Sequence, residues 1–272
     1  MIKNIKDILV VSDLDNTLLT AEGGIPPYNV EMIEKFQSLG GKFTVATGRS
    51  IESVAHYLKQ IKLSAPAILY NGAIIYDYNQ RRILSKKTLP QLEAKKALAI
   101  IRKNFPEIGT EVMCDNNRLY MLQENAYTQK HTDDELLSFV NCDVSSIKNN
   151  WIKVLFADKN PKLLQLSQFC DRLPFENIEF VMTNSIYFEM MPKNITKGLA
   201  MRQLCTLLNI DIQNTVAIGD YYNDIELLKT AGLSVCVENA PVDIKAICQA
   251  VVPQCTQGGV GHLLSQIIKS CE

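Results

Sequence analysis

Ile8-Leu9-Val10-Val11-Ser12-Asp13-Leu14-Asp15-Asn16-Thr17 joins an apolar, β-branched run to two carboxylates and a hydroxyl. The run reads as a buried strand. Alternation along extended chain then sends Asp13 and Asp15 to the same side, just where a parallel sheet opens its ligand crevice. Two like charges at such a place call for a cation or a shared proton. With 14 Asp and 14 Thr in 272 residues, DxDxT arises by chance about 0.04 times, which argues against an incidental polar turn.

Working outward, Tyr28 to Leu39 carries Val30, Ile33, Phe36 and Leu39 at helical spacing and stops at Gly40-Gly41. Lys42 to Ala46 reads as a second strand, with a helical pattern (Ile51, Val54, Leu58, Ile61) after Thr47-Gly48-Arg49-Ser50. Strand, helix, strand, helix in succession makes a parallel sheet the economical reading, and Ala67 to Tyr70 follows as a third strand. A hairpin is expected around Tyr78 to Gln80. From about residue 88 the rhythm changes: a helix over Leu92 to Phe105, strands around Asn116-Asn117, a strand at Trp151 to Ala157, a helix from Pro161 to Leu173, and strands flanking Thr183 to Ser185. Near residue 191 the α/β pattern resumes, with a helix after Thr196, strands at Thr215 to Ile218 and Leu233 to Val237, a helix from Asn223, and a last helix ending near Cys271. The fold class is therefore α/β, with an α+β block of antiparallel pairs inserted in it.

Val216-Ala217-Ile218-Gly219-Asp220 is a second apolar strand running into a carboxylate, with Asn223-Asp224 close behind. GDxxxD is expected by chance about 0.03 times. Carboxylates gathered from separate strand tips suit a hard cation such as Mg²⁺, which takes a few such oxygens together with waters and a phosphate. Thr47-Gly48, where a strand gives way to a helix, offers a hydroxyl and backbone N–H groups to a phosphate oxygen. Lys197, opening a helix after Pro192, supplies positive charge to a phosphoryl group in its transition state. Its charge is expected to serve that group rather than a core partner.

Hydrophobic residues make up 47% and charged residues 21% of the chain, enough for real cores. Twenty-eight basic against 29 acidic residues give a net charge of −1, and no Lys/Arg cluster exceeds two residues, so a nucleic-acid face is not expected. The eight cysteines stand singly with no CxxC, which fits core thiols in a reducing, cytoplasmic compartment. Ile8 to Val11 is too short for a signal-peptide core, and no run nears the ~18 apolar residues of a membrane span.

DLDNTL, ATGR, Lys197 and GDYYND, in this order, resemble the four motifs of the haloacid dehalogenase superfamily. The insertion between the second and third motifs, with Asn71-Gly72-Ala73, resembles the Cof-like phosphatases with a type IIB cap. The resemblance implies a Rossmann-like parallel-sheet core over residues 1–87 and 189–272 and an inserted α+β cap over 88–188. It also implies Mg²⁺ as cofactor and small phosphorylated metabolites, such as sugar phosphates, as substrates. It casts Asp13 as nucleophile and Asp15 as acid/base. The metal ligands would be Asp13, Asp15 (through its backbone carbonyl), Asp220 and Asp224. Thr47, Gly48, Asn71, Lys197 and Asn223 would meet the phosphate or substrate. Asn16 stands where the family usually has glycine, and Asn tolerates the left-handed backbone best among other residues. Tyr221-Tyr222 replaces smaller residues often seen there.

Arg49 is open to two readings, a substrate contact or a structural ion pair. His56, His131 and His262 read as surface or satisfied core histidines, and Asp133-Asp134-Glu135 as a solvated face, since three consecutive acids cannot all face one ion from a helix. A phosphomutase would use the same aspartyl-phosphate, passing it to a second hydroxyl. A phosphate-responsive receiver module would be about half this length and lack the insertion.

Overall fold

Two stretches of parallel α/β pattern separated by an antiparallel block lead to two cores, and the computed structural model contains two. It describes residues 4–271. One compact unit comprises the described residues through Arg49, Val54–Lys86 and the chain from Thr196; the other comprises Ser50–Ser53 and Lys87–Ile195.

The first segment gives β1 (Leu9–Ser12), α1 (Pro27–Ser38), β2 (Lys42–Val45), α2 (Ile51–Tyr57), β3 (Ala67–Leu69), β4 (Ile74–Asp77) and β5 (Arg82–Lys86). The block after it gives α3 (Gln91–Asn104), β6 (Gly109–Cys114), β7 (Leu119–Gln123), α4 (Ala126–Asp134), β8 (Phe139–Asn141), β9 (Trp151–Ala157), α5 (Asn160–Cys170), β10 (Ile178–Met182) and β11 (Tyr187–Pro192). The return segment gives α6 (Lys197–Leu208), β12 (Thr215–Gly219), α7 (Ile225–Thr230), β13 (Leu233–Val237), α8 (Val242–Ile247), β14 (Ala250–Val252) and α9 (Gly259–Cys271).

The first unit is built on a five-stranded parallel sheet of order β14-β13-β12-β1-β2. Leu9 and Val11 of β1 and Ala217 of β12 join Met201, Leu204, Leu227 and Leu228 of α6 and α7 in one core. Helices α1 and α9 pack together, burying Ile33, Phe36, Leu264 and Ile268. Both faces are thus covered, which is why the strands are apolar without alternation. Ala67–Leu69 touches the parallel sheet through one bridge, Ile68 to Ala46, and its ladder is antiparallel, in a separate sheet of order β3-β4-β5. The chain turns at Thr47, so β2 ends before a second bridge can form.

The second unit has a six-stranded sheet of order β10-β11-β9-β6-β7-β8. One face packs Val112, Val154, Phe156, Phe188 and Met190 against Ala97 and Leu98 of α3 and Leu163 and Leu166 of α5. The unit runs past residue 188 to Ile195 because β11 pairs with β9 and β10. Among the described residues no helix is long and apolar enough to cross a membrane.

Candidate active site

Strand register builds the site. Ser12 pairs with both Val45 and Ile218, so Asp13, Ala46-Thr47 and Gly219-Asp220 leave three adjacent parallel strands side by side at their carboxyl ends. This is the crevice position at which open α/β sheets bind ligands. The Asp13 N–H donates to the Ile218 carbonyl at 2.8 Å, which fixes the first strand tip to the second.

Lys197 is the first residue of α6, whose N-terminus is capped by the Thr196 side chain. It is 0% exposed. Its Nζ donates to Asp13 Oδ1 at 2.5 Å and to Asp224 Oδ1 at 2.7 Å. The other oxygen of Asp224 accepts from the backbone N–H groups of Asp220 (3.1 Å) and Tyr221 (3.3 Å). A Cβ at Gly219 would lie 2.5 Å from that oxygen, so only glycine admits this approach. Thr17 Oγ1 donates to Asp220 Oδ1 at 3.2 Å. The expectation that Lys197 lacks a core partner is therefore corrected, since it has two.

Asp13, Asp220 and Asp224 are buried, and each offers a carboxylate oxygen, all within 4.8 Å of one another. Burial and the Asp224 charge push Asp13 well above the usual carboxylate range, with Lys197 opposing. The same first two causes raise Asp220 to about 7. Burial works against the Lys197 charge, but Asp13 and Asp224 more than offset it and hold the ammonium above the ordinary lysine range. Three carboxylates facing one ammonium leave an uncompensated negative charge. An all-oxygen donor set carrying such charge fits a hard divalent cation such as Mg²⁺.

Asp15 does not join this group, although alternation predicts that it shares a side with Asp13. β1 stops at Ser12, and Leu14–Leu18 turns, with Asn16 in the left-handed region (φ 55°). Asp15, its side chain half exposed, instead accepts from Arg49: Nε lies 3.1 and 3.0 Å from its two oxygens and Nη2 2.7 Å from Oδ1. The guanidinium also lies over the Tyr57 ring at 5.2 Å.

The Thr47-Gly48-Arg49 loop is tied to a second loop. Asn71 N–H donates to the Thr47 carbonyl and Tyr70 N–H to that of Arg49. Tyr70, Asn71 and Gly72 all have positive φ (51°, 54° and 107°), and a Cβ at Gly72 would lie 2.4 Å from the Thr196 carbonyl oxygen. These constraints hold Asn71 against Gly48. Its Oδ1 is buried without a partner, open to a ligand donor. Asn223 is exposed beside Asp224, outside the carboxylate cluster.

The sequence model of the haloacid dehalogenase-like hydrolases matches residues 10–264. The chain belongs to this family. It is similar to the phosphatase YwpJ of Bacillus subtilis, at 25% identity over 96% of this chain and 99% of that one. It is also similar to the 5-amino-6-(5-phospho-D-ribitylamino)uracil phosphatase YwtE of the same organism, at 28% identity over 95% and 97%. Its fold matches that of a solved sugar phosphatase of haloacid dehalogenase subclass IIB, with a TM-score of 0.79 and 20% identity over 96% of this chain and 98% of that one. Within the haloacid dehalogenase-like hydrolases the protein is a phosphatase.

Two features of this member escape sequence reading. Thr17 stands out in DxDxT, but only the fold shows that its hydroxyl orients Asp220. Asn239, unmarked by any motif, donates to the Asn16 carbonyl at 2.9 Å and accepts from Cys255 N–H, pinning the left-handed turn that follows the first strand tip.

Proposed function

We propose that this phosphatase is Mg²⁺-dependent, hydrolyses small phosphate monoesters such as sugar phosphates, and works through an aspartyl-phosphate on Asp13. The observation that carries the reading is Lys197 held between Asp13 and Asp224 in a buried cluster with Asp220. Asp13, Asp220, Asp224 and the Asp15 carbonyl would hold Mg²⁺, which when bound neutralises phosphoryl oxygens and Asp13.

Asp13 attacks phosphorus in line with the leaving oxygen, forming an Asp13–phosphorus bond as the ester P–O bond breaks. Lys197 Nζ, Thr47 Oγ1 and the Gly48 N–H hold the phosphoryl oxygens, with Asn71 completing the substrate contacts. Asp15 gives a proton to the departing alkoxide. It then takes one from the water that attacks phosphorus, which releases inorganic phosphate and restores the Asp13 carboxylate. In its resting position both Asp15 oxygens are engaged by Arg49, so acid catalysis requires Asp15 to exchange that partner for a proton. Residues 88–188 act as the cap that reads the leaving group, and Asn223 supports the phosphate from the helix start beside Asp224. The relative named for a phosphorylated ribitylaminouracil supports a hydroxylated small-molecule substrate. The eight free cysteines fit a cytoplasmic location.

Phosphate release from p-nitrophenyl phosphate, measured with Mg²⁺ and with a chelator, tests the reading. Activity is expected only with the metal, and Asp13→Asn is expected to fold and yet lose turnover. Wild-type rates in that variant would contradict it.

A further inference from the structure

Two asparagines from outside the turn that carries Asp15 hold it in place, and both are anchored on the segment Cys255–Gly261. Leu14–Leu18 leaves β1 as a tight turn with Asn16 left-handed (φ 55°, ψ 11°). Asn239, in the loop after β13, donates its amide N–H to the Asn16 carbonyl at 2.9 Å, and its Oδ1 accepts from the Cys255 N–H at 2.9 Å. Asn29, in α1, donates to the Leu18 carbonyl at 3.3 Å, and its Oδ1 accepts from the Gly261 N–H in the first turn of α9 at 2.7 Å. Every residue of this brace belongs to the first unit.

The two amides differ in their surroundings. Asn29 is fully buried, so its hydrogen bonds are part of what holds α1, α9 and the turn in one core. Asn239 and Asn16 are exposed, and a hydrogen bond open to water adds little to the stability of the whole fold. What Asn239 holds is local. The Asn16 carbonyl belongs to the peptide after the left-handed residue, and the Asp15 carbonyl to the peptide before it, so the two dihedrals of Asn16 are the only soft freedom between them. With one peptide held by Asn239, a left-handed Asn16 fixes the other. A residue that carries a Cβ prefers ordinary α or β backbone, and the gain from one hydrogen bond is of the same size as that preference.

We propose that Asn239 is a positioning residue for phosphoryl transfer: by holding Asn16 left-handed it keeps the Asp15 carbonyl and side chain in the places that metal binding and proton transfer require. The proposal rests on the phosphatase reading and on the roles given there to Asp15. Asn239 acts through Asn16 and takes no chemical step of its own. Thr17, the next residue along the turn, orients Asp220 through its hydroxyl at 3.2 Å, so the same brace reaches the second carboxylate-tipped strand.

The test compares the full chain as wild type, Asn239→Ala, Asn16→Gly and the double variant. Mn²⁺, a hard cation that takes the same oxygen donors, is titrated without substrate and its binding read from the electron paramagnetic resonance signal of the free ion. The turnover number kcat is measured on p-nitrophenyl phosphate at saturating Mg²⁺, and melting is followed without metal. Asn239→Ala is expected to weaken Mn²⁺ binding and to lower kcat, each about three- to tenfold, the size of one lost hydrogen bond. Its metal-free melting temperature should stay within about 2 °C of wild type, because the side chain is exposed. Glycine enters the left-handed region without penalty, so in the Asn16→Gly background the same Asn239→Ala change should cost about twofold or less in both measurements. Unchanged Mn²⁺ affinity and kcat in Asn239→Ala overturn the proposal, as do equal losses in the two backgrounds or a fall in melting temperature that Asn16→Gly does not relieve. A wild type that binds no Mn²⁺ and hydrolyses no ester overturns the phosphatase reading instead.

Discussion

Lys197 joins stability to chemistry at a single ammonium. Its two ion pairs, at 2.5 and 2.7 Å and without solvent, mean that Lys197→Met leaves Asp13 and Asp224 buried without their cation. Removing one partner of such a group costs about 3–5 kcal/mol, so the melting temperature should fall together with turnover. Adding Asp224→Asn removes one stranded charge and should restore much of the melting temperature while turnover stays low. Thermal melts and p-nitrophenyl phosphate kinetics on the two variants check this, and an unchanged melting temperature in Lys197→Met would contradict it. At this scale the sequence was readable where chemistry is local. Asn16 is left-handed (φ 55°), as expected of the residue that best tolerates that conformation after glycine. It was unreadable where partners come from distant segments. Nothing in the spacing of Asp15 and Arg49 announces their ion pair, and alternation misplaced Asp15 because the strand ends at Ser12, three residues before it.

Among the elements, strands that run into carboxylates were legible because both faces are buried and the charge falls at the tip. Leu233–Val237 and Trp151–Ala157 have the expected limits. Helix α4 (Ala126–Asp134) was missed, since its polar sequence carries only a weak apolar stripe. Asn125 and Thr128, which form a capping box, were its available signal. This helix is fastened to β6 by His131, which sits between Glu111 and Glu135 against the Tyr187 ring. Burial alone would lower its pKa, but the hydrogen bonds and charges of Glu111 and then Glu135 outweigh that and raise it from 6.5 to about 10. A pKa raised by folding gives stability that is full below 6.5 and is lost as pH rises toward 10, by up to about 1.4 kcal/mol per pH unit. The melting temperature of the wild type should therefore fall more steeply across that window than that of His131→Gln. Parallel slopes would show that the pair carries no such stabilisation.

Over the whole molecule, the change of rhythm near residues 88 and 191 reported the insertion, because parallel and antiparallel sheets need different strand patterns. What rhythm could not report is which strand faces carry charge. Glu111, Lys153 and Glu189 are buried on the sheet face opposite Val112, Val154 and Phe188, and only the pairing register brings them together. The residues assigned to phosphoryl transfer (Asp13, Asp15, Thr47, Lys197, Asp220 and Asp224) all belong to the first unit, so the covalent step should leave its mark on that unit alone. Acid quenching during turnover of a ³²P-labelled phosphate ester, followed by peptide mapping, tests this most directly. The account predicts a hydroxylamine-labile phosphoryl group on the peptide bearing Asp13, absent in Asp13→Asn. Steady turnover with no labelled protein, or label on any other residue, would contradict it.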